Sequence, residues 1–438
     1  MNWRETAKQI FIAGVTSVLP GKLIESHLSL KGNVLHLGNR YYDLDRIGKI
    51  YIIGAGKASA AMGHFVEHLL GDKIAGGHIV VKYGHYCRLR HVKVTEAGHP
   101  VPDENSFRAT AEIIDLVKEA GENDLVICLF SGGGSSLLAD VPERSVSFEI
   151  IRMNELLVKC GANINEINCV RKHLSKVKGG QLARHIWPAS FINIIISDVS
   201  GDPLDIIASG PTVPDNSTFR EALRVLEDYR IISQVPASIL GYLYEGAQCL
   251  GPETPKPGDE VFKDSFTYIA GNNRTALNGS KEKAEDLGFN AFIVGEELKG
   301  DVNCAVTSIS ETINSFRNNN TLRRPVCLLY GGETTVKVEG KGMGGRNQHL
   351  ALMAALRLQD MPGVTLLASG TDGNDGDTEM AGAVVDSETL HDALEQGIDP
   401  VSYLKEYDSY HFFKSAGGHV YTGPTLTNVM DMVVVLIE

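Results

Sequence analysis

The residues of this sequence best suited to chemistry stand where short apolar runs give way to glycine. Gly54-Ala55-Gly56-Lys57-Ala58-Ser59 follows the run Ile50 to Ile53 and precedes a segment of helical periodicity that ends near Leu70. Gly54 and Gly56 would let the backbone approach an anion, and Lys57 would add a point charge. The spacing is not that of a P-loop, and it misses the dinucleotide fingerprint because Ser59 stands where the last glycine belongs. Lys82-Tyr83, at the end of the next run, replaces the acid that would meet a ribose hydroxyl. The plain alternative is a tight turn with a solvated lysine. Ser131-Gly132-Gly133-Gly134-Ser135-Ser136 repeats the arrangement after Leu125 to Phe130. Its glycines and hydroxyls suit a backbone nest for phosphate or carboxylate, and it lacks the G-x-S-x-G elbow of a serine hydrolase.

Charged side chains cluster in four further places. Asn168 to Gly180 holds Arg171, Lys172, His173, Lys176 and Lys178, and helical spacing would put Arg171, Ser175 and Lys178 on one face, as a phosphate or carboxylate stripe or as a solvated basic face. Asp198 and Asp202, beyond the run Phe191 to Ile196, suit Mg²⁺ binding and acceptance of a hydroxyl proton, although a loop aspartate is commonly a turn or cap residue. Gly344-Gly345-Arg346-Asn347-Gln348 places Arg346 at a helix start, where it could clamp a phosphoryl group. Ser369 to Asp377 is rich in acids, Asp372 among them, but does not have EF-hand spacing.

Composition narrows what these loops can serve. Lys plus Arg number 41 against 54 Asp plus Glu, a net charge of −13 that repels nucleic acid, so any bound phosphate must meet a local basic spot. The seven cysteines are scattered, without disulfide or CxxC spacing, and read as reduced thiols. No apolar run is long enough to span a membrane and no leader pattern opens the chain, so a cytoplasmic protein with no membrane partner is expected.

The elements that must position these residues alternate between apolar runs and helical segments, the signature of βαβ units and a parallel sheet buried on both faces. A chain of 438 residues exceeds one hydrophobic core. The run Gly251 to Asp264, dense in proline, glycine and charge, marks the expected boundary between a Rossmann-like domain over residues 1–250 and a second α/β domain over 265–438. Thr267 to Ala270 would open the second domain, and a hairpin over Leu328 to Glu339 would make its sheet mixed. Ile10, Phe11, Val15 and Val18 predict an amphipathic helix at the start of the chain.

Taken in order, the loops resemble the type II glycerate kinases along nearly the whole chain. To the segments above the resemblance adds Gly98-His99-Pro100-Val101-Pro102-Asp103, Ala208 to Thr212, Gly331-Gly332-Glu333-Thr334 and Thr422 to Val429. It implies a Rossmann-like domain and a second α/β domain with the active site in the cleft between them, and ATP- and Mg²⁺-dependent phosphorylation of D-glycerate, usually at the 2-hydroxyl. On that reading Lys57, Asp198 and Arg346 are catalytic. Gly54, Gly56, Ser131, Gly132, Gly133, Gly134, Ser135, Arg171, Lys178 and Asn347 bind substrate or phosphate, and Asp202 and Asp372 hold metal. Gly418 stands where the family pattern leads us to expect an acid, and Asp377 where we expect proline. Hydroxypyruvate reduction, or metabolite binding without turnover, are the rival readings. The oligomeric state stays open, a homodimer included.

Overall fold

Runs of β-branched and aliphatic residues form the middle of two six-stranded sheets. The computed structural model describes residues 2–142 and 145–438, and divides into one unit of Ile24–Ala270 and another of the residues up to Leu23 with Gly271–Glu438. In the first unit β1 (Leu28–Lys31), β2 (Val34–Leu37) and β3 (Arg40–Asp43) form a small antiparallel meander. Then come β4 (Ile50–Ala55), β5 (Ile74–Lys82), β6 (Lys93–Ala97), β7 (Leu125–Phe130), β8 (Ser190–Ile196) and β9 (Ser265–Gly271). Their order is β6-β5-β4-β7-β8-β9, parallel from β6 to β8. β4 and β7 are buried throughout, as apolar runs covered on both faces require. The chain leaves β4 toward β5 and β6 and returns to β7 on β4's other side. This reversal of direction opens a crevice beyond the carboxyl ends of β4 and β7.

The second unit contains β10 (Asn290–Asp301), β11 (Val326–Thr335), β12 (Val364–Gly370), β13 (Gly382–Asp386), β14 (His419–Val420) and β15 (Asp431–Ile437), ordered β10-β11-β15-β12-β13-β14. Only β10 and β11 run parallel, so the sheet is mixed as expected. The helix Trp3–Ser17 buries Ile10, Phe11 and Val15 and packs on the helix Asn273–Asp286.

Three expectations differ from what the chain does. The residues up to Leu23 belong with the second unit, and 251–270 stay with the first, so the boundaries 1–250 and 265–438 do not coincide with this division. Ser265–Gly271 is the edge of the first sheet: the Phe191 N–H donates to the Asp264 carbonyl (3.3 Å) and the Asn193 amide to the Thr267 hydroxyl (2.8 Å). The hairpin over 328–339 is absent, because β11 continues through Gly331 and Gly332 to Thr335 and its antiparallel partner is β15, paired Gly332 to Asp431.

All seven cysteines are unpaired, Cys128 and Cys327 buried in strands. Among the described residues no helix is long and apolar enough to cross a membrane.

Candidate functional site

At the crevice of the first sheet the two glycine loops are tied to each other. The Gly56 N–H donates to the Val80 carbonyl (3.1 Å), Lys57 N–H to the Gly132 carbonyl (2.9 Å) and Ala58 N–H to the Ser131 hydroxyl (3.0 Å). Gly56 has a φ of 142° and lies so close to Ser131 that a side chain there would collide with its hydroxyl. Gly54, next to last in β4, lies hard against the Leu129 backbone. The amides of this first loop therefore fix the loop pair, and what it presents for chemistry is the Lys57 side chain. Ser131 is buried, its hydroxyl 3.2 Å from that of Ser59, and serves the same joint.

Gly133, at a φ of 85°, lies between His99 and Lys57, and the short helix Gly134–Leu137 follows it. Gly134 packs on Ala208, and the Ser135 hydroxyl is 2.8 Å from that of Ser209, which donates to Asn168 (3.0 Å). Burial, with the charges of Lys57 and Lys82 next to it, holds the His99 imidazole down to about 4, so it is neutral at pH 7. Lys57 and Lys82 mark the carboxyl ends of β4 and β5 as a positive spot on an acidic chain.

The basic segment divides by direction. Its helix is Ile164–His173, so Ser175 and Lys178 lie beyond it and the predicted common helix face does not form. Lys172 turns inward to Asp205 (3.0 Å) and Asp215 (3.2 Å), and His173 to Glu253 (2.9 Å). Arg171, Ser175 and Lys178 nevertheless meet at one cavity of about 540 Å³, which they share with His99, Gly133 and Ser135. The turn after the helix brings together what a helix face would not. Arg171 Nε donates to Asn154 Oδ1 (2.8 Å), and burial lowers the Arg171 pKa. The Lys178 ammonium is buried and donates to the Leu138 carbonyl. Burial brings its pKa down to about 8, with Asp140 opposing and Arg171 adding to the fall. Asp140 accepts from the Ser175 hydroxyl (2.5 Å) and the Lys176 N–H (2.7 Å). Sequence reasoning gave no role to His99, Asp140 or Asn154, single polar residues whose part depends on tertiary convergence.

Asp198 and Asp202 lie on the loop after β8. Asp202 takes a φ of 52°, with its N–H on the Val199 carbonyl (3.0 Å). Such left-handed backbone in a non-glycine residue holds a side chain in a set direction at an energetic cost.

In the second unit Arg346 begins the helix Arg346–Leu358 and is held by carboxylates. Its Nε donates to Asp431 Oδ2 (2.5 Å) and Nη2 to Oδ1 (3.1 Å), and Nη1 pairs with Glu333. Burial pushes the Asp431 carboxyl up to about 6, although Arg346 opposes the rise. The helix N-terminus is already filled. Asp375 accepts from the N–H groups of Asn347 (3.0 Å) and Gln348 (2.8 Å), and the Asn347 side chain also donates to it (3.2 Å). The geometry therefore gives Asn347 a capping partner within its own unit. Asp372 sits on the loop after β12, joined to the last loop where the Thr425 hydroxyl donates to the Thr371 carbonyl (2.6 Å). Gly418 has a φ of 110° beside the Val384 carbonyl, so an acid at that position would strain the backbone this chain adopts.

The domain of unknown function DUF4147 matches residues 6–244, and the MOFRL family matches residues 326–431. A Thermotoga maritima D-glycerate 2-kinase is 42% identical over 394 residues, covering 89% of this chain and 91% of that protein. A Pyrococcus horikoshii glycerate 2-kinase is 38% identical over 440 residues, covering 100% of this chain and 98% of its own length. The crystal structure of a T. maritima glycerate kinase superposes with a TM-score of 0.87 at 38% identity, covering 100% of this chain and 99% of the other.

Proposed function

This chain belongs to the glycerate 2-kinase family, and from that premise we propose that it transfers the γ-phosphoryl group of ATP to the 2-hydroxyl of D-glycerate, giving 2-phosphoglycerate and ADP. The observation that carries the reading is the position of Lys57, on a loop locked to the glycine loop of β7 at the sheet's switch point. Ligands of such sheets sit there, and a rigidly mounted cation is what a migrating phosphoryl group needs.

The 2-hydroxyl oxygen attacks the γ-phosphorus, its proton passes to Asp198, and the bond to the β-phosphate oxygen breaks as ADP leaves. Lys57 neutralises charge on the equatorial oxygens, and Arg346, oriented by Asp431 and Glu333, is the second unit's group for the same task. Asp202 and Asp372 are the carboxylates proposed for Mg²⁺. Bound with a nucleotide, that ion takes only one or two carboxylates, completing its shell from phosphate and water, and it neutralises phosphate charge. Each of the two loops supplies one of these carboxylates within its own unit, and among the described residues no three acid, histidine or cysteine side chains gather as a metal cluster, in keeping with an ion held mainly by phosphate and water.

Purified protein given D-glycerate, ATP and Mg²⁺ should form 2-phosphoglycerate, resolved from the 3-isomer by phosphorus NMR. Lys57→Met should lower kcat by roughly 10²-fold or more at an unchanged melting temperature. Consumption of NADH with hydroxypyruvate and no phosphoglycerate would overturn the reading in favour of a reductase.

A further inference from the structure

The 540 Å³ cavity of the first unit has an apolar and a polar lining. The helix Ser147–Lys159 contributes Ile150, Met153 and Leu157, and Leu174 extends this apolar wall. The polar lining is Arg171, Lys178, Asp140 and the glycine loop with Ser135, together with Asn154, Glu155 and Lys159 from that same helix. Both Asp140 oxygens accept hydrogen bonds from Ser175 and Lys176, and Glu155 pairs with Lys159 (3.3 Å), so Arg171 and Lys178 leave the polar lining positive. Among the described residues no carboxylate pairs with Arg171, whose one hydrogen bond runs from Nε to Asn154. A partly buried guanidinium with its terminal nitrogens unclaimed is costly unless an anion meets it.

The ligand that answers both kinds of lining is amphipathic, with an apolar end and an anionic end. A three-carbon hydroxy acid has no apolar end and fills on the order of 100 Å³, a few waters' worth. Cavities of about 300–1,000 Å³ with apolar walls and few polar anchors hold larger molecules. Gly133 fixes the direction: it lines the cavity, and a side-chain carbon added there would stand 3.7 Å from Lys57 Cγ, so the anionic end lies toward the lysine proposed to meet the transferring group.

We infer that this cavity is the phosphoryl-donor site, with the purine and sugar of a nucleotide against Ile150, Met153, Leu157 and Leu174 and its phosphates on Arg171, Lys178 and the loop Gly133–Ser136. The inference rests on the kinase reading above and adds to it which cavity takes the donor.

Calorimetric titration of the full-length protein with Mg·ADP, without glycerate, tests it. Arg171→Ala removes the anion anchor, and Ile151→Trp fills the cavity from a half-buried position on its wall. Each should weaken ADP binding about tenfold or more, with the KM for ATP rising in step and the KM for D-glycerate nearly constant. Circular dichroism melts establish that both variants fold, and Ile151→Trp keeps the test open should Arg171→Ala not fold. Unchanged ADP affinity in a folded variant would overturn the inference. So would a rise in the glycerate KM alone, which would hand the cavity to the acceptor. If ADP binding is lost in the variants but the parent protein forms no phosphoglycerate, the kinase reading fails while the nucleotide site stands.

Discussion

Lys178 keeps an ammonium on a side chain that is almost wholly buried. Burial brings its pKa from an ordinary 10.5 to about 8; Asp140 opposes the fall, Arg171 adds to it, and Asn154, Glu155 and Lys159 face the same cavity from the helix Ser147–Lys159. Between about pH 8 and 10.5 the unfolded chain therefore holds more protons at this site than the folded one, so Lys178 makes stability rise with pH across that window. A charge that costs the fold at neutral pH points to a task in binding. Lys178→Met keeps most of the stem and removes the charge. It should melt no lower than the parent protein at pH 7, lose turnover about tenfold or more, and show a stability difference that closes as pH climbs from 8 toward 10.5. A variant that melts far below the parent yet turns over normally would make Lys178 a structural pin. Arg171 and Lys178 were legible from residue type in an acidic sequence. Asp140 and Asn154 were not, because a lone polar residue gains meaning only from what the fold brings to it.

Around the cavity the elements are held by an ion pair between a buried histidine and a half-buried glutamate. His173, the last residue of its helix, has Nδ1 2.7 Å from the Cys169 carbonyl and Nε2 2.9 Å from Glu253, which also accepts the Phe219 N–H (3.1 Å). Burial alone would lower the His173 pKa, but its bonds to Cys169 and Glu253 carry it to about 9. Burial would likewise raise Glu253, and His173 with the Thr254 and Phe219 N–H groups brings it to about 2. The His173 contribution is thus complete below pH 6.5 and lost as pH rises through about 9, and the Glu253 contribution is complete above pH 4.5 and lost as pH falls through about 2. Glu253→Gln should cost about 1–2 kcal/mol at pH 6, discounted because Glu253 is a third exposed, and urea midpoints of variant and parent should converge near pH 10. A difference that does not vary with pH would assign the loss to packing. The strands behind these elements were readable because β4, β7 and β8 are apolar on both faces. The same signal could not say which sheet Ser265–Gly271 joins, since an apolar run announces a strand and not its neighbour. Gly332, inside the stretch expected to be a hairpin, marks instead a place where β11 passes close to the Leu298 backbone.

For the whole molecule, the chain begins in the second unit, builds the first, and returns. A boundary drawn from composition at the Pro/Gly run misses this, because helical periodicity in residues 10–18 reveals an apolar face without naming what covers it. Ile10, Phe11, Val15 and Val18 are almost wholly buried, and the Arg4 guanidinium pairs with Asp386 (2.5 Å). Burial of a large aliphatic or aromatic side chain stabilises by about 1.5–3 kcal/mol, so these four together contribute roughly 6–12 kcal/mol, as much as a typical domain's entire stability. A chain beginning at Ile24 should therefore lose the fold of Gly271–Glu438 while keeping that of Ile24–Ala270. Hydrogen exchange read by mass spectrometry separates the two units: amides of β11, β12 and β15 should exchange at unprotected rates, and those of β4, β7 and β8 should stay protected. Supplying residues 2–23 as a peptide should restore part of the lost protection, because the missing contribution is burial and not covalent continuity. Protection retained throughout the truncated chain would mean that the first helix covers the second unit without holding it together.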